Sequence, residues 1–431
     1  MIDKGSGFIS NNKVEIGLIV MLFASLFIQQ VPVLLILVLT FAIQLTRVSL
    51  VENTYLLLRG FSVIAGAAFI SKGISGIGGG FYYLGFMLLL WGISTKKINF
   101  FVSKENVRPS IILILLFTVS LLITSGGDAS GDKLYKTVYN GIGAMAAFIL
   151  LFSNINTLSP RIGLYLLIYG ILLLRVAIDS NGIAGPQSLL DFGFMRLQTD
   201  AISNADSDAF AISYHFPGYY FLEGLSILLI IKKCSRANLY WFCFIGLLIA
   251  LYSGARQTIV IAIVIMVLMA FFESQRHKMF FIIPLILSVL YFIVSSSSEI
   301  VDLFGGGSLE TMSERDIRDI LRLSAIEQFL SSPWIGVGFG RFFFNGEYGY
   351  YPHNLIFELL CEVGIIGSCV AIFLLFKGIR NMQIVSNGYM YMLLVFFLGA
   401  MISGCMFDNI KLFAYIFALP AARIYNKKNY V

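Results

Sequence analysis

Along this chain the apolar residues fall in blocks of roughly 17–25, the length a helix needs to cross a bilayer, rather than alternating with polar ones. The blocks predict about fourteen transmembrane helices, near 14–29, 31–46, 54–72, 79–95, 109–125, 137–155, 161–178, 214–231, 237–253, 257–272, 279–296, 354–376, 388–406 and 410–425. Only Gln29, Gln30 and Pro32 divide the first pair, and Asp408–Asn409 divides the last. The predicted fold class is all-α, a polytopic integral membrane protein whose residues 1–431 form a single transmembrane domain. Two stretches, about 179–213 and 297–353, are too polar for spans and read as long loops, a length that tends to carry function.

Composition agrees with the pattern: charged residues are 13% and apolar residues 58% of the 431. A soluble chain carries roughly 25% charge, so a cytosolic enzyme, a disordered chain and a secreted disulfide scaffold are excluded. Cys234, Cys243, Cys361, Cys369 and Cys405 all lie in or beside apolar runs and imply no disulfide framework. Lys13 precedes the first apolar stretch without a small-residue cleavage site after it, so this stretch reads as a retained span. With alternating spans, Lys96, Lys97, Lys104 and Arg108, then Arg161, Lys232, Lys233, Arg236, Arg276, Lys278, Lys377, Arg380 and the tail Arg423, Lys427 and Lys428, share one side. The positive-inside rule makes that side cytoplasmic, with both termini inside and both long loops external. The net charge of +6 therefore sets orientation and does not point to nucleic acid. No internal repeat and no soluble domain is visible.

The strongest chemical signal is His353-Asn354, followed after nine residues by Gly364-Ile365-Ile366-Gly367, where the second loop returns to the membrane. Tyr351-Pro352 ends the loop, and Asn354 suits the N-cap of the next helix. His353 is then held beside free backbone N–H groups and the positive end of the helix dipole, a place suited to an anion or to activating a hydroxyl beside one. Asn354, Glu358 and Glu362 share one helical stripe, with Glu362 at a depth where a carboxylate is costly, and Gly364 and Gly367 permit close packing. A plain polar cap with an ion-paired structural acid is the alternative; the combined pattern favours function.

Three further signals share the external side. Pro333-Trp334-Ile335-Gly336-Val337-Gly338-Phe339-Gly340-Arg341 reads as a backbone-exposing turn able to approach a phosphate, with Gly336 and Gly338 as its pivots. It is not a dinucleotide fingerprint, for no strand precedes it. Residues 313–330 read as an amphipathic helix with capping-box spacing at Ser313 and Asp316 and an apolar side of Ile317, Ile320, Leu321, Ala325 and Phe329. Its Arg315, Arg318 and Arg322 suit phosphate; local pairs Glu314–Arg318 and Arg315–Asp319 are the alternative. The short turn Ser253-Gly254-Ala255-Arg256-Gln257-Thr258 fixes one arginine rigidly at the external surface, which favours a functional charge there; snorkelling to headgroups is the alternative. Tyr214-His215 reads as an interfacial belt, Glu223 as a pairing or cavity-lining acid, Arg59 as snorkelling, and Arg175 as ambiguous. Asp206-Ser207-Asp208 reads as a solvated loop and not a metal motif.

The order of SGxR turn, long external loop with an arginine-bearing helix, PxxGxGxG and HN-x9-GxxG resembles the O-antigen polymerase and ligase superfamily of the Wzy/WaaL type, over roughly 250–370. Gln257 departs from the small residue that usually follows the arginine there. The resemblance implies a C-type glycosyltransferase (GT-C) fold in the bacterial inner membrane. It implies transfer of a glycan from undecaprenyl diphosphate to a sugar hydroxyl at the external face, without metal or other cofactor. The partners implied are the lipid-linked oligosaccharide, the lipid bilayer and a chain-length regulator protein. On this reading Arg256, with Arg315, Arg318, Arg322 and Arg341, stabilises the leaving diphosphate, and His353 is the general base or a diphosphate ligand. Glu362 orients His353 or an arginine. The high span number favours a polymerase, which extends a lipid-linked repeat, over a ligase, which transfers to lipid A–core. A lipid-linked oligosaccharide flippase is the reading from another class, but neither repeats nor broken midplane helices are evident.

Overall fold

The computed structural model describes residues 11–28, 32–70, 74, 76–123, 128–181, 216–234, 236–252, 256–272, 309–344, 347–348, 351–380, 387–402 and 406–429. Helices dominate them. They are α1 (Lys13–Ser25), α2 (Val33–Arg47), α3 (Leu50–Leu56, a π-helical turn Leu57–Phe61, then Ser62–Ile70), α4 (Ile77–Ser94), α5 (Lys104–Ile123), α6 (Asp128–Ser153) and α7 (Arg161–Asn181). Then come α8 (Phe216–Ile231), α9 (Arg236–Tyr252), α10 (Arg256–Phe272), α11 (Leu309–Ser331), α12 (Leu355–Arg380), α13 (Asn387–Ile402) and α14 (Met406–Asn429). A two-stranded antiparallel hairpin, β1 (Phe343–Phe344) with β2 (Glu347–Tyr348), precedes α12, with Phe343 opposite Tyr348.

Every predicted apolar block except 279–296 coincides with a helix; that block, most of 179–213 and residues 297–308 lie outside the described residues. By length and composition α4, α5, α6 and α12 can each cross a membrane, and α2, α8, α9, α10 and α13 hold shorter apolar stretches. This is the build of a multi-pass membrane protein. Met87, Leu90 and Leu122 on α4 and α5 are more than 60% exposed, as lipid-facing side chains are.

The helices form two compact units interleaved in sequence. The first takes residues 1–99, 154–295 and 386–395. Its α7 and α8 approach at backbone distance, because a Cβ on Gly163 would lie 3.1 Å from the Gly224 carbonyl and one on Gly224 2.9 Å from the Gly163 carbonyl. Buried Glu223 of α8 receives Arg59 through Nε at 3.0 Å and a terminal guanidinium nitrogen at 2.7 Å, and the Tyr55 hydroxyl at 2.5 Å. Arg59 therefore does not snorkel. The π-helical turn holds it against an acid that the bilayer interior would otherwise leave costly and unpaired. Arg175 is fully buried and donates to the carbonyls of Ser25 and Ile28, closing the end of α1.

The second unit takes residues 100–153, 296–385 and 396–431. Helices α6 and α14 pack through Phe148, Phe152 and Tyr415, with ring centroids 5.4 and 5.6 Å from the tyrosine. The helix predicted over 313–330 begins at Leu309, so Ser313 lies inside it and is no cap. Leu321 and Ala325 bury against Cys361 and Phe342, while Ile320, predicted on the same apolar side, is 46% exposed.

Candidate active site

The site grows from the start of α12. Asn354 caps this helix as its position predicts: Oδ1 accepts from the N–H groups of Ile356 (2.9 Å) and Phe357 (3.3 Å). Its Nδ2 donates to the Met401 carbonyl at 2.8 Å and so ties the mouth of α12 to the end of α13. His353, just outside the cap, has φ +53°, a left-handed backbone that few residues other than glycine adopt and that histidine tolerates better than most. Its ring lies against Tyr351 with centroids 4.5 Å apart. A strained, half-buried histidine at a helix mouth is a costly arrangement, and such strain gathers at functional sites.

One turn deeper, Glu358 and Glu362 do converge on one stripe, and the group between them is Lys133 of α6. Its ammonium donates to Glu358 Oε1 and, at 2.6 Å, to Glu362 Oε1. The lysine side chain is 12% exposed and the two carboxylates 1% and 2%. Lys133 also lies 5.2 Å from the ring centroid of Phe339, which stacks on Phe117. Glu358 Oε1 further accepts the Met406 N–H at the start of α14, at 2.9 Å. Glu358 Oε2 is buried and makes no hydrogen bond among the described residues. Two acids thus share one cation, so the cluster carries a spare acceptor beneath the histidine.

The glycine-rich turn holds this cluster in place. Val337 N–H donates to the Cys361 carbonyl (2.8 Å) and Gly338 N–H to that of Glu362 (3.0 Å); Ile365 N–H and Ile366 N–H return to Pro333 and Trp334. These pairings require α12 to break at Gly364, whose φ is +66°. A Cβ there would meet the Trp334 carbonyl at 2.5 Å and the Gly336 nitrogen at 2.6 Å. Gly336, at φ +75°, closes against the same break and donates to the Ser332 carbonyl. The turn predicted to expose its backbone to phosphate instead spends these amides on α12. It is a clasp that delivers Phe339 over Lys133. Ser120 of α5 completes it, donating to the Glu362 carbonyl and accepting from Phe339 N–H, both at 3.1 Å. Buried Gly367 lies one turn beyond the break, where a Cβ would press on Val363.

The arginines are more dispersed. Arg322 is half-buried on α11, and Arg341 lines a groove beside that helix with Glu327. Arg315 and Arg318 lie in α11, and Arg256 is the first residue of α10, in the other unit. Ser253, Gly254, Ala255, Asp206, Asp208 and His215 lie outside the described residues. Lys133 is the residue that sequence reasoning passed over. It was findable, since alternating spans predict Lys133 and Lys136 on the side opposite the basic loops, an exception to the positive-inside rule. Among the described residues no group of three metal-ligating side chains comes together.

These features define a helical membrane protein with a buried, charge-bearing site at one helix mouth. Residues 241–374 match the family model Wzy_C, described as O-Antigen ligase. The match contains the clasp, His353, both acids and Gly364, and supports the Wzy/WaaL likeness and a role in O-antigen-related glycan transfer. No curated protein matches the chain.

Proposed function

We propose that the protein is a glycosyltransferase that moves an undecaprenyl-diphosphate-linked glycan onto a sugar hydroxyl at the external face of the inner membrane, as an O-antigen polymerase. The observation that carries this reading is the left-handed His353 above the Lys133–Glu358–Glu362 cluster, inside the segment that matches the family. The acceptor hydroxyl attacks the anomeric carbon, the C1–O bond to the diphosphate breaks, and the hydroxyl proton passes to His353. Lys133 and its acids tie α6 to α12 below the histidine and so hold the helix mouth in place. Arg256 at the first position of α10 places a cation where the helix dipole is already positive, an arrangement that an anion stabilises. It serves the leaving diphosphate, with Arg315, Arg318 and Arg322 of the loop helix in the same role. An identical centre serves a ligase, because the two reactions differ only in the acceptor.

The test is transfer by purified protein from lipid-linked donor without added metal. His353→Asn keeps a residue that tolerates the left-handed backbone, and it should insert normally yet lose about 10²–10⁴-fold of the rate. Activity within a few-fold of the parent refutes the role. Gel analysis of surface lipopolysaccharide after gene deletion then separates the acceptors. A single capped repeat means polymerase, bare core with accumulated lipid-linked polymer means ligase, and single repeats held in the inner leaflet mean flippase.

A further inference from the structure

Helix α11, the end of the clasp and strand β1 line an open groove of about 710 Å³, within the size of small-molecule sites, about 300–1,000 Å³. The clasp borders both places: Phe339 covers Lys133, while Val337 and Arg341 face the groove. One wall carries Leu323, and the opposite wall Phe343 and Phe344. Glu327 and Arg341 stand among these apolar groups.

The groove is built, not incidental. Gln328 accepts the Phe343 N–H on its Oε1 (3.1 Å) and donates from Nε2 to the Phe343 carbonyl (2.6 Å) and to Ser324 Oγ (3.0 Å). A side-chain amide thus fixes both backbone groups of one strand residue, much as a third strand would. The Phe343 ring is held at a set angle while remaining 42% exposed. A rigid exposed aromatic ring beside a carboxylate and a guanidinium matches one ligand chemistry closely. A pyranose offers an apolar C–H face to the negative face of the ring and a rim of hydroxyls to the carboxylate and guanidinium. Glu327 opposes a diphosphate in this groove, and a lipid tail would desolvate both charges without pairing them.

We propose that this groove binds a sugar ring of the glycan at a distance from the bond being made. The proposal rests on the glycan-transfer reading for its choice of glycan. A contact made equally in the ground and transition states raises affinity without changing the chemical step, and loss of such a contact should raise KM and leave kcat unchanged.

The experiment uses the full-length protein in nanodiscs and a one-repeat oligosaccharide released by mild acid from the surface polysaccharide of the producing cell. Affinity is measured by calorimetry for the parent, Phe343→Ala, Glu327→Gln and Lys136→Gln. Each groove variant should weaken binding about tenfold, the effect of one aromatic contact or one charge-assisted hydrogen bond. Lys136→Gln, at a half-exposed residue of α6 that pairs with Asp132, should bind within twofold of the parent. Glu327→Gln preserves shape and involves none of the Gln328 bonds, so it reports even where Phe343→Ala perturbs the hairpin. A parent that does not bind the oligosaccharide, or groove variants that bind as tightly as the parent, overturn the proposal. Binding that falls in both groove variants while the parent transfers no glycan upholds the groove and refutes the transfer reading.

Discussion

Replacing Lys133 by methionine removes the only cation in contact with two buried carboxylates among the described residues. Both nearer oxygens touch the same Nζ, so they lie at most about 5 Å apart, and two like charges at that distance repel by about 3 kcal/mol at an effective dielectric of about 20. Loss of one partner of a buried ion pair costs about 3–5 kcal/mol by mutational precedent, which agrees. The melting temperature should fall on the order of 10 °C for a unit of this size, read by size-exclusion chromatography of detergent-solubilised protein after heating. Glu358→Gln should cost less than Lys133→Met, since it leaves Lys133 and Glu362 paired one to one. The triple variant Lys133→Met, Glu358→Gln, Glu362→Gln should recover most of the lost stability, because a buried ion cluster exchanged for neutral groups of similar volume is often close to neutral. It should not recover full transfer, because the charged ties that position the mouth of α12 are then gone. A Lys133→Met protein melting within about 2 °C of the parent, or a triple variant less stable than the single one, would refute the electrostatic account of the cluster.

Gly364→Ala forces a Cβ into the Trp334 carbonyl and an alanine into a left-handed backbone, so clasp and helix must part. The left-handed backbone alone costs about 1–3 kcal/mol, and faster proteolysis within 333–341 checks it. Arg59→Leu strands Glu223 and should destabilise the first unit by about 3–5 kcal/mol; adding Glu223→Leu should restore much of it, measured by the same thermal assay. Arg256→Lys should retain little transfer at normal protein levels, since a point charge does not reproduce a two-pronged guanidinium contact; full activity in the lysine variant makes Arg256 a surface charge only.

Hydropathy made the helices legible because a bilayer filters every span by the same length and apolarity, and most helix bounds lie near those of the apolar blocks, α6 being an exception that starts at Asp128 rather than near 137. The cap at Asn354 and the shared stripe of Glu358 and Glu362 were legible for a local reason: both depend on spacing within one helix. What spacing cannot show is which helix lies opposite. Lys133 stands more than two hundred residues before the acids it joins, and Arg59 stands 164 residues before Glu223. The glycine-rich turn was misread for the same reason. Its glycines signal backbone approach correctly, but the partner is the broken α12 and not a phosphate.

The Glu223–Arg59 pair of the first unit and the Lys133 cluster of the second dispose of buried charge differently, and the difference bears on where chemistry belongs. In the first, Glu223 uses both oxygens on Arg59 and adds the Tyr55 hydroxyl, a closed arrangement of one acid with one base. Such a pair fixes helices and offers nothing to a substrate. In the second, one lysine serves two acids, and Glu358 keeps a buried oxygen with no hydrogen bond among the described residues. An excess acceptor in a dry setting is costly, and a fold under selection for stability alone would replace one acid by an apolar residue. Its retention at the mouth of α12, below a histidine in a strained backbone and behind a clasp that needs a helix break, places three separate costs at one spot. Costs that coincide in space point to the work done there. That coincidence, rather than any single residue, is the physical ground for locating proton transfer at His353.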